Sequence, residues 1–279
     1  MNDTAREYLS YGKFILPFCR FRRTIRPTER RWGDTHQYFL YFPGAQPRKD
    51  QAVIYIHGGG WNSQSPKLSF YIGQRIAEAG YDCFLPGYRK TPKHRYDDIA
   101  DDVFNGYREI RKFMAEKGLS YVKEVVMGSS AGAHLGAILC FDRERQARFG
   151  IDGEDFDALL TMAGPLRFDL PQTGILDWLL GQLFGTKDKN VWKKGEPYGM
   201  LCPKPDFRLF MIQSPHDGLV GWDQAKSYCD RAAELGIPAE FYAVDEAWNT
   251  HSAYCAGVFL KNRGESATLE KVFDMLSRV

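Results

Sequence analysis

Gly128-Ser129-Ser130-Ala131-Gly132 places a serine between two glycines at the spacing G-x-S-x-G. A serine hydroxyl is a poor nucleophile at neutral pH. Chemistry there needs a sharply exposed side chain, a base to take its proton, and donors for the oxyanion that follows. The preceding residues, 123–128, read as a buried strand, and residues 131–141 as a helix rich in small side chains. That is the strand-turn-helix context in which a strained turn exposes a serine, and side chains in place of Gly128 or Gly132 would collide across it. By itself the pentapeptide also fits a chance match or a glycine-flanked helix cap.

A second signal lies upstream, where His57-Gly58-Gly59-Gly60-Trp61 follows the apolar, β-branched run 52–57. Consecutive glycines let the backbone approach a substrate carbonyl and aim N–H groups at its oxygen. Gly58 and Gly59 are the expected donors, joined by the N–H of Ala131. The segment lacks the G-K-[ST] of a phosphate loop and the G-x-G-x-x-G of a dinucleotide site. His57 precedes the donors and is better placed to brace their loop than to act as a base.

In this type of chain the acid and the base follow the serine, in the order Ser, Asp or Glu, His. Asp217 follows the apolar strand 208–213 in Ser214-Pro215-His216-Asp217-Gly218, and His251 follows the last strand, 239–244. Both then project from loops at the carboxyl edge of a sheet and can converge on Ser130. Each has an alternative: Asp217 as an Asp-Gly turn residue, with Asp245 or Glu246 as the acid, and His251 as a surface-loop histidine. His134 lies one turn after Ser130 on the same helix, His216 adjoins Asp217, and His36 and His94 precede the nucleophile, so none of these follows the final strand.

The elements that must position these residues alternate as in an α/β chain. Strands are expected at 52–57, 81–85, 123–128, 158–163, 208–213 and 239–244, with an antiparallel opening around 35–42. Helices are expected at 68–79, from 97 to about Gly118, and at 131–141, 222–235 and 268–278. Asp97, Asp98, Asp101 and Asp102 crowd the start of the second helix, where the helix dipole favours negative charge. The expectation is a single domain over 1–279, a mostly parallel central sheet flanked by helices, with candidate cap elements at 1–30 and 165–205. The second of these contains Ile175, Leu176, Trp178, Leu179, Leu180, Leu183 and Phe184, too apolar for a solvent loop. It reads as a small helical lid, or else as a helix packed on the core without touching substrate.

The net charge of +2 on 279 residues gives no reason to expect a nucleic-acid partner. Arg20, Arg22, Arg23, Arg26, Arg30 and Arg31 read more simply as a solvated arm or part of a cap than as an anion-binding surface. Six cysteines without a CxxC pair or metal-ligand spacing are expected to be reduced and structural, so no metal and no cofactor are expected. The apolar stretch 14–19 is too short for a secretory segment and contains Pro17, and no run is long enough to span a membrane. A cytoplasmic location without stable membrane insertion is the simplest expectation, and homo-oligomerisation is left open. Trp61 and Trp248 could line a pocket for an aryl or sugar ester, as could Trp178 and Trp192, although aromatic residues are equally ordinary core material.

From about residue 52 onward the sequence resembles the α/β-hydrolase esterases and lipases with an HGGG oxyanion motif, including hormone-sensitive-lipase-like enzymes and bacterial carboxylesterases. The resemblance rests on His57-Gly-Gly-Gly-Trp61, Gly87-Tyr-Arg89, Gly128 to Gly132 with Ala133-His-Leu135, Asp217-Gly-Leu-Val220 and His251. It implies a serine hydrolase that cleaves short-chain or aryl carboxylic esters through an acyl-enzyme, with a small-molecule ester as partner. Many hormone-sensitive-lipase-like members carry an acidic residue before the nucleophile, where this chain has Ser129, so that subgroup is not assigned. The HGGxW segment is also similar to arylformamidases, which cleave an N-formyl amide with the same triad. A non-catalytic ligand receptor on this fold is a further alternative, against which the complete Ser, Asp and His set argues.

Overall fold

The computed structural model describes residues 3–10 and 12–279; residues 1, 2 and 11 of the first candidate cap element lie outside it. Two helices open the chain, α1 (Asp3–Ser10) and α2 (Gly12–Arg20), followed by β1 (Thr28–Arg31), β2 (Tyr38–Phe42) and β3 (Gln51–Ile56). Next come α3 (Phe70–Glu78), β4 (Asp82–Pro86), α4 (Tyr96–Lys117), β5 (Lys123–Ser129), α5 (Ala131–Phe141), α6 (Arg143–Phe149) and β6 (Ala158–Met162). The segment before the next strand carries α7 (Gly174–Phe184), α8 (Lys189–Trp192) and α9 (Pro197–Met200). The chain ends with β7 (Arg208–Gln213), α10 (Trp222–Glu234), β8 (Ala239–Ala243), α11 (His251–Cys255) and α12 (Ala267–Ser277).

The strands form one sheet in the order β1-β2-β4-β3-β5-β6-β7-β8, antiparallel where β2 meets β1 and β4, and parallel from β4 to β8. Its central strands are buried on both faces. In β3, Ala52, Ile54 and Ile56 enter one hydrophobic core while Val53 and Tyr55 enter the other, which is why that run shows no polar alternation. The aspartates at the start of α4 sit where the sequence placed them, and Gly118 ends the helix in the left-handed conformation.

The opening antiparallel pair draws its partner strand from further upstream than 35–42. Thr28–Arg31 is polar and mostly exposed, so β1 carries no hydrophobic signal and is made by pairing with Tyr38 to Tyr41 of β2. The arginines nearby are occupied locally, Arg30 with Glu116, Arg31 with Glu29, and Arg23 over the Phe70 ring. All six cysteines are free thiols. Among the described residues, no helix is long and apolar enough to cross a membrane.

Candidate active site

The serine turn is built by close backbone approach. Ser130 links β5 to α5 at φ 54° and ψ −123°, a conformation that strains a side-chain-bearing residue by about 1–3 kcal/mol. Its N–H donates to the Met162 carbonyl at 2.8 Å, which anchors the turn to the neighbouring strand β6. A Cβ on Gly128 would overlap the Gly132 carbonyl, and one on Gly132 would overlap that of Ile56. Glycine at both positions is therefore a steric requirement.

Four parallel strands deliver the other groups to the same edge: the glycine loop follows β3, Ser130 follows β5, Asp217 follows β7 and His251 follows β8. The Ser130 hydroxyl lies 2.9 Å from His251 Nε2, and His251 Nδ1 lies 2.9 and 3.0 Å from the two Asp217 oxygens. An ionised carboxylate only accepts, so Nδ1 carries the imidazole proton and Nε2 is left to accept from the serine. The Asp217 carboxylate is itself held in place. Its Oδ1 accepts from the N–H groups of Leu219 and Val220 at 2.9 and 2.8 Å, and its Oδ2 accepts from the Tyr254 hydroxyl at 2.7 Å and the Gln213 amide at 3.4 Å. Burial by itself lowers the His251 pKa, but the charge and hydrogen bond of Asp217, assisted by Glu7, outweigh it and raise the pKa above the ordinary imidazole value. Tyr254 and Gln213 went unnoticed in the sequence. Tyr254 lies three residues after His251, a helical spacing that could have flagged it.

The glycine loop packs directly on the serine. A Cβ on Gly58 would lie 2.7 Å from the Ser129 carbonyl oxygen and 3.2 Å from Ser130 Cβ, while Gly59 and Gly60 adopt φ of 100° and 56°. His57 braces this loop. Its ring stacks on Tyr88 at 4.5 Å, its Nδ1 is 2.8 Å from the Gly58 carbonyl, its Nε2 is 3.2 Å from Lys90 Nζ, and its own carbonyl accepts from the Tyr88 hydroxyl at 2.9 Å. Ala131 is the first residue of α5, whose leading N–H groups have no intrahelical acceptor and sit at the positive end of the helix dipole. His134 is fully buried between the Trp61 indole N–H at 3.3 Å and the Gly195 carbonyl at 2.8 Å, and burial pushes its pKa down to about 4. It is a neutral core histidine.

Residues 53–159 match a family described by its alpha/beta hydrolase fold. Over 99% of this chain and 92% of the other, the structure superposes on esterase B from Lactobacillus rhamnosis with a TM-score of 0.79 at 17% identity, a likeness of fold. The chain has the α/β-hydrolase fold. Among named α/β-hydrolase relatives, human arylacetamide deacetylase-like 3 is 29% identical over 127 residues, 45% of this chain and 31% of its own. Esterase LipQ of Mycobacterium tuberculosis is 23% identical over 234 residues, 78% of this chain and 54% of its own. The chain thus spans about a third to a half of the length of these two relatives.

In this α/β-hydrolase fold a cavity of about 620 Å³ opens over Ser130, His251, Gly58 and Gly59. Its apolar walls come from three places: Leu68 and Ile72 near α3, Ile175, Leu176 and Leu179 near and on α7, and Phe14, Ile15 and Phe18 on α2. Helix α7 divides its side chains between the core and the cavity wall. Leu180 and Leu183 are buried in the core, Leu179 faces the cavity, and Trp178 is 55% exposed. Trp61 borders the cavity but is only 1% exposed and directs its indole N–H to His134. Trp248 does not line the cavity. It packs edge-on against Phe14, which does, with Lys261 over its ring. Trp178 and Trp192 also lie off the wall, and Trp192 donates to the Thr186 carbonyl. Among the described residues, no group of three or more His, Cys, Asp or Glu could hold a metal ion.

Proposed function

We propose that this protein hydrolyses short-chain or aryl carboxylic esters through an acyl-enzyme on Ser130. The observation that carries the reading is the continuous hydrogen-bond line from Ser130 Oγ to His251 Nε2 at 2.9 Å and from His251 Nδ1 to Asp217 at 2.9 Å. Ser130 Oγ attacks the ester carbonyl carbon as its proton passes to His251 Nε2, and Asp217 orients the imidazole and stabilises the imidazolium. The N–H groups of Gly58, Gly59 and Ala131 receive the oxyanion of the tetrahedral intermediate. Collapse breaks the bond to the alcohol oxygen, which takes the proton from His251, and water then repeats the sequence on the acyl-enzyme. The apolar walls of the cavity suit an acyl chain or aryl group, and the esterase names of the relatives agree with ester chemistry.

The test is labelling with a fluorophosphonate probe, located by peptide mass spectrometry in wild-type and Ser130→Ala protein. It is paired with turnover of p-nitrophenyl acetate, butyrate and octanoate and of N-formylkynurenine. Labelling on Ser130 alone, with ester turnover falling about 10⁴- to 10⁶-fold in Ser130→Ala, is expected. Full turnover by the variant would remove Ser130 as nucleophile. Preference for N-formylkynurenine over every ester would move the substrate to formamides, and a folded wild type that neither labels nor turns over would point to a ligand-binding role.

A further inference from the structure

Glu7 is a carboxylate on the first helix, only 1% exposed, in the wall of the cavity that holds Ser130 and His251. Buried carboxylates are rare because losing water penalises the charge heavily unless hydrogen bonds or opposite charges compensate. Glu7 Oε1 accepts from the backbone N–H of Ser252, the residue after His251, at 3.0 Å and across 245 positions of sequence. Two further contacts tie the same helix to the loops carrying the acid and the base. The Arg6 guanidinium donates to the Asn249 side chain at 3.1 Å, two residues before His251. Asp3 lies 3.8 Å from His216, the neighbour of Asp217. A helix that only covered the cavity would need no buried carboxylate at this point.

We infer that Glu7 is a positioning residue for His251, fixing the first turn of α11 through the Ser252 N–H and adding a second negative charge to that of Asp217. The inference rests on the hydrolytic reading of Ser130, His251 and Asp217. The titratable and polar groups around His251 are Asp217 from the turn after β7, Ser130 from the serine turn and Glu7 from α1, with Tyr254 of its own helix on the Asp217 carboxylate and Cys255 of that helix feeling the charges of both Asp217 and Glu7. Slightly further out, Arg6 is paired with Asp3, and His216 is half exposed. When His251 takes the serine proton, the new positive charge is met by Asp217 in direct contact and by Glu7, held one residue away on the Ser252 N–H. This favours the imidazolium in the transition state, where the charge appears. It agrees with the direction in which Glu7 moves the His251 pKa, upward.

Glu7→Gln and Glu7→Ala separate the two contributions, because glutamine keeps an oxygen to accept from Ser252 N–H and loses only the charge. The decisive reading is the His251 imidazole titration, followed by NMR and assigned by its absence in His251→Gln. Both Glu7 variants are expected to titrate at lower pH than wild type, with the acid limb of kcat/KM moving in the same direction. Ester kcat at the pH optimum is expected to fall about fivefold in Glu7→Gln, and further in Glu7→Ala as the hydrogen bond is also lost. A His251 midpoint unchanged in Glu7→Gln, or wild-type kcat in both variants, overturns the inference. Titration needs no substrate, so an unmoved midpoint in an active esterase rejects Glu7 alone. Failure of Ser130 labelling rejects the hydrolytic reading and the role assigned to Glu7 with it. Thermal unfolding of each variant confirms that the titrated protein is folded.

Discussion

Asp217 holds the proposed base by accepting from four groups besides the imidazole, so its geometry is fixed before substrate arrives. Replacing it with asparagine keeps the shape but offers an amide that can donate to Nδ1 and select the wrong imidazole tautomer. Asp217→Asn is expected to lower ester kcat about 10⁴-fold. It also removes the main influence opposing burial at His251, so the acid limb of kcat/KM should move to lower pH than in wild type. The sign matters because the base works only when neutral. Activity is lost as pH falls through the folded-state midpoint, while the stability that protonated His251 contributes is lost as pH rises through it. A pH profile of the variant that overlays the wild type would show that Asp217 does not control the base. At this scale, residue type and chain order were enough to pick out Ser130, Asp217 and His251, which the structure brings within hydrogen-bond distance. Glu7 was not legible, because nothing at position 7 announces a neighbour 245 positions away.

Helix α7 decides how much room the cavity offers. Leu179 projects toward the glycine loop, where a Cβ on Gly60 would come within 2.9 Å of its Cδ2. Leu179→Ala removes three carbons from the cavity wall, and the ratio of kcat/KM for p-nitrophenyl octanoate over acetate is expected to rise about tenfold, since one methylene of fit is worth about 10- to 200-fold. An unchanged ratio would place the acyl chain elsewhere, with the N-terminal wall of Phe14, Ile15 and Phe18 as the next candidate. The apolar run 175–184 could be recognised from composition, and its division between core and cavity could not. A helix distributes its side chains by angle, and which side meets the site depends on where the whole helix lands. The N-terminal helices were harder still. The only signals there were the short apolar stretch 14–19 with Pro17 and the arginines after it, yet α2 runs through Pro17 and places Phe18 edge-on to Phe70 and Tyr71.

At the scale of the whole molecule, one basic group is withdrawn from water behind the site. Lys90, half-buried against His57 behind the glycine loop, has its ammonium pKa lowered by desolvation to about 6. A lysine depressed in the folded state binds fewer protons there than in the unfolded chain, so its contribution to stability rises with pH between that value and the ordinary lysine range. In urea unfolding, the stability of wild type relative to Lys90→Met should therefore be greater at pH 9 than at pH 6.5. An equal difference at both would mean that Lys90 stays charged in the fold. The sequence by itself determined the alternation of strand and helix, the glycines required by two tight backbone approaches, and the chain order of Ser130, Asp217 and His251. These follow from local sterics and from burial on both faces of a parallel sheet, and both leave traces in neighbouring residues. Only the tertiary structure decided that α1 and α2 close the cavity, that Trp248 stands behind Phe14, that α7 serves core and cavity together, and that Glu7 meets the turn of His251. Those contacts join residues far apart in the chain, and their geometry is set by how the sheet twists and the helices pack, which no local pattern encodes.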